Sequence, residues 1–251
     1  MSRYKLSSRS GEVQVTVTER GEGRPVLLLH GGAGPDSVAG FADQLADRFS
    51  YRVLVPVHPG FGGTERPAPV DSIRKLADVY RALLDELDLT DVIVAGNSIG
   101  GWIAAELALA APDRVGSLFL IDAVGLASAD HPVIDFYSLD FAQVAKLSWA
   151  NPEGHVIDPA AMSDAQRVIM AGNREALQVY GGQTMTDSGL AARLAGLTVP
   201  ARVIWGEADG IVTPAYGKEF AAAIPGAGFS LVPRAGHLPQ LESPEAVLSL
   251  F

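Results

Sequence analysis

Short, unbroken apolar runs recur along this chain, and most are followed by an amphipathic segment. VLLLHGG (26–32), YRVLVPV (51–57), DVIVAGN (91–97), GSLFLID (116–122), ARVIWGE (201–207) and GFSLVPR (228–234) are too brief to be helices, and most break at glycine or a polar residue. Runs of this length without polar alternation suit strands buried on both faces of a sheet. Between them DSVAGFADQLADRF, SIRKLADVYRALLDELDL, GGWIAAELALAAPDRV and TPAYGKEFAAAIPG place apolar residues near a helical spacing. Strand–helix alternation closes through right-handed crossovers, so the expected fold class is α/β with a mostly parallel sheet covered on both sides. EVQVTVTE (12–19) alternates with period two and reads as an antiparallel strand near a sheet edge.

One stretch breaks the rhythm. Residues 124–187 contain no further buried run, only helix-like segments interrupted by HP, NPEG, DP and GG. The expected organisation is an α/β core of residues 1–123 and 188–251, with 124–187 inserted after the sixth strand as a helical cap. Ligands of such sheets bind outside the C-terminal strand ends. A segment leaving from the end of a strand at Asp122 is therefore placed to roof a site.

The run VIVAGNSIGGWIAA (92–105) carries the chemistry. Gly96, Asn97, Ser98, Ile99 and Gly100 match G-x-S-x-G directly after a predicted strand and before a predicted helix, the context that the nucleophile-elbow motif requires. A tight turn there exposes the Ser98 hydroxyl at the C-terminal edge of the sheet. The Ile99 N–H then faces a developing oxyanion from the helix N-terminus.

Serine needs a base to become a nucleophile. Of five histidines, His237 in RAGHLPQLESPE follows the last apolar run and falls at the same sheet edge. His30 ends the VLLL strand and is expected to hold the following loop by hydrogen bonding; His58, His131 and His155 read as structural or solvated. Asp209, in WGEADG, is the favoured acid to orient the imidazole, and Asp122, in FLIDAV, is its competitor. The loop HGGAGPDS (30–37) supplies the second oxyanion donor, with Gly32 first and Ala33 second. The resulting order Ser…Asp…His is that of an elbow-type hydrolase.

HGG, HPGFGGTERP, GNSIGG, WGEADGIVTP and AGHLPQLESPE together resemble the α/β-hydrolase superfamily over essentially the whole chain. The resemblance implies a mostly parallel eight-stranded sheet flanked by helices. GNSIGG is similar to the elbow of the meta-cleavage product hydrolases, which hydrolyse carbon–carbon bonds of dienoic ring-fission acids. That similarity implies a substrate-facing role for Arg174 in the cap; Trp149 is the aromatic residue expected to line the same pocket.

The totals narrow the partners. With 19 basic and 29 acidic residues the formal charge is −10, which disfavours nucleic acid and anionic membrane surfaces. The absence of cysteine removes disulfides and thiolate chemistry. No apolar leader or spanning segment is visible, so the expected location is cytoplasmic. The chain stops at EAVLSLF, inside what reads as a final helix. No metal or organic cofactor is implied, the expected partner is a small-molecule substrate, and self-association into a homo-oligomer is left open. The expected activity is hydrolysis of a small, largely apolar ester or related acyl compound through Ser98, His237 and Asp209. Carbon–carbon hydrolysis, cofactor-free oxygenation or perhydrolysis, and small-molecule reception on the same scaffold are the alternatives.

Overall fold

In the computed structural model, which describes residues 1–251, the chain opens with an antiparallel hairpin of Ser2–Ser8 (β1) and Gly11–Arg20 (β2). Arg24–Leu29 (β3), Asp36–Phe49 (α1), Tyr51–Pro56 (β4), Ile73–Glu86 (α2), Val92–Asn97 (β5), Ile99–Ala110 (α3) and Val115–Ile121 (β6) follow in strand–helix alternation. Next come Gly125–Leu126 (β7), Phe141–Ser148 (α4), Asp164–Gly181 (α5), Thr186–Asp187 (β8) and Leu190–Leu194 (α6). Ala201–Gly206 (β9), Pro214–Ala222 (α7), Gly228–Val232 (β10), Pro239–Glu242 (α8) and Pro244–Leu248 (α9) complete the chain.

Eight strands form one sheet in the order β1-β2-β4-β3-β5-β6-β9-β10, parallel throughout from β4 to β10. The continuous apolar runs are explained by the two layers that this sheet serves. In β3, Leu27 and Leu29 pack on one face with Tyr80 of α2 and Ile103 of α3, while Val26 and Leu28 pack on the other with Phe41 and Leu45 of α1. Each such side chain, fully withdrawn from water, contributes about 1.5–3 kcal/mol. α3 is buried almost throughout because it lies directly behind β5 and β6, so it is apolar nearly all round rather than along one stripe.

Two differences from the sequence reading have clear causes. β1 carries only one buried side chain, Leu6, so its seven residues lack the apolar signal of a strand; main-chain pairing with β2 holds it at the sheet edge. The stretch 124–187 does contain strand structure: β7 and β8 pair in parallel over two residues each and close the base of the excursion between β6 and β9. A two-residue ladder is below what periodicity can register. No helix is long and apolar enough to cross a membrane.

Candidate active site

β5 ends at Asn97 and α3 begins at Ile99, so one residue makes the entire reversal. Ser98 adopts φ 56° and ψ −121°, a conformation that costs an L-residue about 1–3 kcal/mol and persists only where its surroundings enforce it. Here the enforcement is visible. Ser98 N–H donates to the Ile121 carbonyl at 2.9 Å, and Gly101 N–H donates to the Ser98 carbonyl at 3.0 Å. The glycines around the serine answer to contact, since a Cβ on Gly96 would lie 2.2 Å from the Gly100 carbonyl oxygen.

The loop after β10 brings His237 to this turn. Asn97 Nδ2 donates to the His237 carbonyl at 2.9 Å, so the residue before Ser98 fastens the histidine loop to the elbow. The His237 N–H donates to the Ser148 carbonyl at the end of α4, at 2.7 Å. His237 Nδ1 lies 2.8 Å from Asp209 Oδ2, and Asp209 Oδ1 accepts the N–H groups of Ile211 and Val212 at 2.8 and 3.1 Å. A carboxylate so held accepts a hydrogen bond from Nδ1–H, which leaves Nε2 bare as an acceptor. Asp122 joins this group from just beyond β6: one carboxylate oxygen of Asp122, one of Asp209 and one ring nitrogen of His237 lie within 4.8 Å of one another. The direct partner of the imidazole is Asp209; Asp122 stands beside that pair, and Glu207 instead accepts the Arg234 N–H.

The loop after β3 runs past the serine. A Cβ on Gly31 would approach the Ser98 Cβ to 3.2 Å, and the N–H groups of Gly32 and Ala33 have no backbone acceptor of their own. Ile99, first residue of α3, has no intrahelical acceptor either. Free donors thus lie in the loop that passes Ser98 and at the start of α3. The loop is pinned by a buried histidine pair: His30 Nδ1–H donates to the Gly31 carbonyl at 2.7 Å, and His58 N–H donates to His30 Nε2 at 3.1 Å. His58 Nε2–H returns a bond to the His30 carbonyl at 2.9 Å, and the Tyr80 hydroxyl donates to His58 Nδ1.

Burial drives the His30 imidazole down from 6.5 to about 4, partly offset by its bond to Gly31. The unfolded chain therefore takes up this proton first. The stabilising share of a neutral His30 is complete above pH 6.5 and is lost as pH falls toward about 4. By pH 5 this group alone removes about 2 kcal/mol. Ring-proton NMR should find the His30 resonances unmoved until pH approaches 4; a midpoint near 6.5 would show the ring to be hydrated.

The helices between β7 and β8 cover these loops. Leu177 of α5 lies 3.0 Å from where a Cβ on Gly32 would be, Asn173 Oδ1 accepts the Gly62 N–H at 2.8 Å, and Tyr180 donates to the Pro59 carbonyl at 2.9 Å. Trp149 follows Ser148 and is half-buried; its ring stacks on His155 at 3.7 Å. Arg174 is exposed on α5, donates to the Tyr137 carbonyl and lies 5.2 Å over the Tyr137 ring. Ala33 is also exposed. A cleft of about 500 Å³ lined by Ala150, Asn151, His155, Arg234 and Glu242 includes neither Ser98 nor His237. Asn97, Ser148 and Tyr80 were missed by sequence reasoning. The Asn97 contact spans 140 positions and that of Tyr80 spans 22, while Ser148 reaches the histidine loop from the far end of α4. No local spacing announces any of them.

A strand–serine–helix elbow and a histidine–carboxylate pair at the C-terminal edge of a mostly parallel sheet define an α/β-hydrolase architecture. The chain belongs to the alpha/beta hydrolase family, whose model matches residues 26–250. It is 31% identical over 256 residues to a 2-hydroxy-6-oxononadienedioate/2-hydroxy-6-oxononatrienedioate hydrolase of Cupriavidus pinatubonensis, covering 94% of this chain and 88% of that protein. Lipase 3 of a Moraxella species is 26% identical over 242 residues, covering 88% of this chain and 74% of the lipase. Among solved structures, a thermophilic esterase from Thermogutta terrifontis superposes with a TM-score of 0.78 at 25% identity, covering 100% of this chain and 96% of the esterase. A meta-cleavage product hydrolase from Pseudomonas fluorescens shares the fold with a TM-score of 0.77 at 22% identity, covering 98% and 95% of the two chains.

Proposed function

We propose that this chain is a serine hydrolase of small, largely apolar esters or related acyl compounds. The observation that carries this reading is the 2.8 Å bond between His237 Nδ1 and Asp209 Oδ2, tied through Asn97 to a serine held at φ 56°. Ser98 Oγ attacks the acyl carbon while His237 Nε2 takes its proton, and Asp209 stabilises the imidazolium that forms. The N–H groups of Gly32 and Ile99 receive the oxyanion; one such donor is worth about 3–4 kcal/mol of barrier. His237 returns the proton to the leaving group, the acyl-Ser98 ester remains, and water activated by the same imidazole hydrolyses it. The segment 124–187 acts as the cap, with Leu177 above the oxyanion loop and Trp149 beside the histidine loop as its pocket-facing side chains.

Incubation with a fluorophosphonate followed by intact-mass analysis tests the assignment. A single adduct mapped to Ser98, absent from Ser98→Ala, together with loss of p-nitrophenyl butyrate hydrolysis in that variant, is expected. A folded protein that takes no adduct overturns it. The 31% identity to a hydrolase of oxo-dienedioic acids supports a second reading, carbon–carbon hydrolysis of such acids at the same serine. A dienoic keto acid turned over faster than any short ester would decide for it.

A further inference from the structure

Asp122 follows the last residue of β6 and is completely buried. Its Oδ1 accepts the Gly206 N–H at 2.9 Å, whereas Oδ2 is sealed from water and meets no donor. A carboxylate oxygen of Asp122 lies within 4.8 Å of one of Asp209. Two carboxylates so placed in a dry interior cannot both ionise, so one of them holds a proton. The donors decide which. Asp209 receives two backbone N–H groups and the imidazole N–H, while Asp122 receives one N–H and has an oxygen to spare.

We propose that Asp122 is a positioning residue that stays protonated in the native fold and donates Oδ2–H to Asp209, fixing that carboxylate for His237 and keeping a second negative charge out of the triad. The inference rests on reading Ser98, His237 and Asp209 as that triad. The surroundings of Asp122 favour this state on balance. Burial pushes its carboxyl well above the usual carboxylate range, the charges of Asp209 and Glu242 push the same way, and only the Gly206 N–H opposes. His237, the remaining titratable neighbour, has its Nδ1–H committed to Asp209. The backbone at Asp122 has φ 45°, a left-handed conformation in which Asp and Asn are the least strained non-glycine residues. Asparagine is therefore the faithful mimic of the protonated acid: its carbonyl accepts from Gly206 and its amide donates to Asp209.

The test compares Asp122→Asn and Asp122→Ala with the wild type. Two profiles are recorded against pH: the rate of fluorophosphonate labelling and the urea midpoint. Alanine should slow labelling by about tenfold or more and move the acid limb of its profile upward, because Asp209 loses a donor that stabilised its charge. Asparagine should restore the rate to within about threefold with the acid limb unmoved. A raised native pKa contributes stability that is complete below the unfolded value near 3.8 and is lost as pH rises through the native value. The urea midpoint of Asp122→Asn, measured relative to wild type, should therefore climb steadily from pH 4 to pH 7. A flat difference, with the acid limb of Asp122→Asn lowered by a unit or more, would show that Asp122 is ionised and overturn the proposal. The urea comparison needs no turnover and holds even if the alanine variant does not fold. An unlabelled wild type would therefore discredit the triad reading alone.

Discussion

Asp209→Asn is expected to lower the turnover of a short p-nitrophenyl ester by about 10⁴-fold while the protein stays folded. The reason lies in which atom the new amide must present. Oδ1 of residue 209 is fixed by the N–H groups of Ile211 and Val212, so the NH₂ of asparagine falls where Oδ2 now meets His237 Nδ1. Nδ1 then has to accept, the ring proton moves to Nε2, and in the proposed mechanism Nε2 can no longer take the Ser98 proton. Circular dichroism and the urea midpoint would verify the fold, and the labelling rate of Ser98 would report the loss. A fall of less than about tenfold would transfer the orienting role to Asp122, the other acid within 4.8 Å of the imidazole.

Gly100→Ala is expected to destabilise the fold by about 3 kcal/mol or more, read as a lowered urea midpoint. A Cβ there would lie 2.3 Å from the Leu29 carbonyl oxygen and 2.6 Å from that of His30. Both are main-chain atoms of β3 and of the loop that follows it, so neither can rotate out of the way. The helix must back off from β3, and Ser98 with it. Gly228→Ala is the matched control: a methyl group at that position would meet nothing within 4 Å, and a change within about 0.5 kcal/mol is expected. Equal losses at both sites would mean that the close approach of α3 to β3 is not what the glycine serves.

Much of this molecule is readable along the chain because the signals are local. β3, β4, β5, β6 and β9 fall on apolar runs and bury them on both faces, and α1 spans the same fourteen residues as its periodic pattern. β10 also falls on its run but, as the edge strand, buries only Val232 and not both faces. Ser98 is legible for the same reason: a strand, a one-residue turn and a helix are contiguous, and Gly96 and Gly100 mark where the backbones meet. β1 escaped because a strand that buries only Leu6 has no apolar pattern, and β7 with β8 because two residues have no period.

The relation between Asp209 and Asp122 belongs to another category. Both follow strands at the same sheet edge and both are acids; along the chain they differ only in weight of expectation. Their roles separate only when β6 and β9 lie side by side. The turn after β9 then aims two N–H groups at Asp209, while Asp122 reaches a single N–H on the neighbouring strand. The His30–His58 pair and the Asn97 bond to the histidine loop are likewise long-range. Strand, helix and elbow follow from short-range sterics and burial, which each stretch of chain carries within itself. Protonation and hydrogen-bond partnership follow from how many donors and charges surround a group once water is gone, and those neighbours arrive only with the tertiary fold.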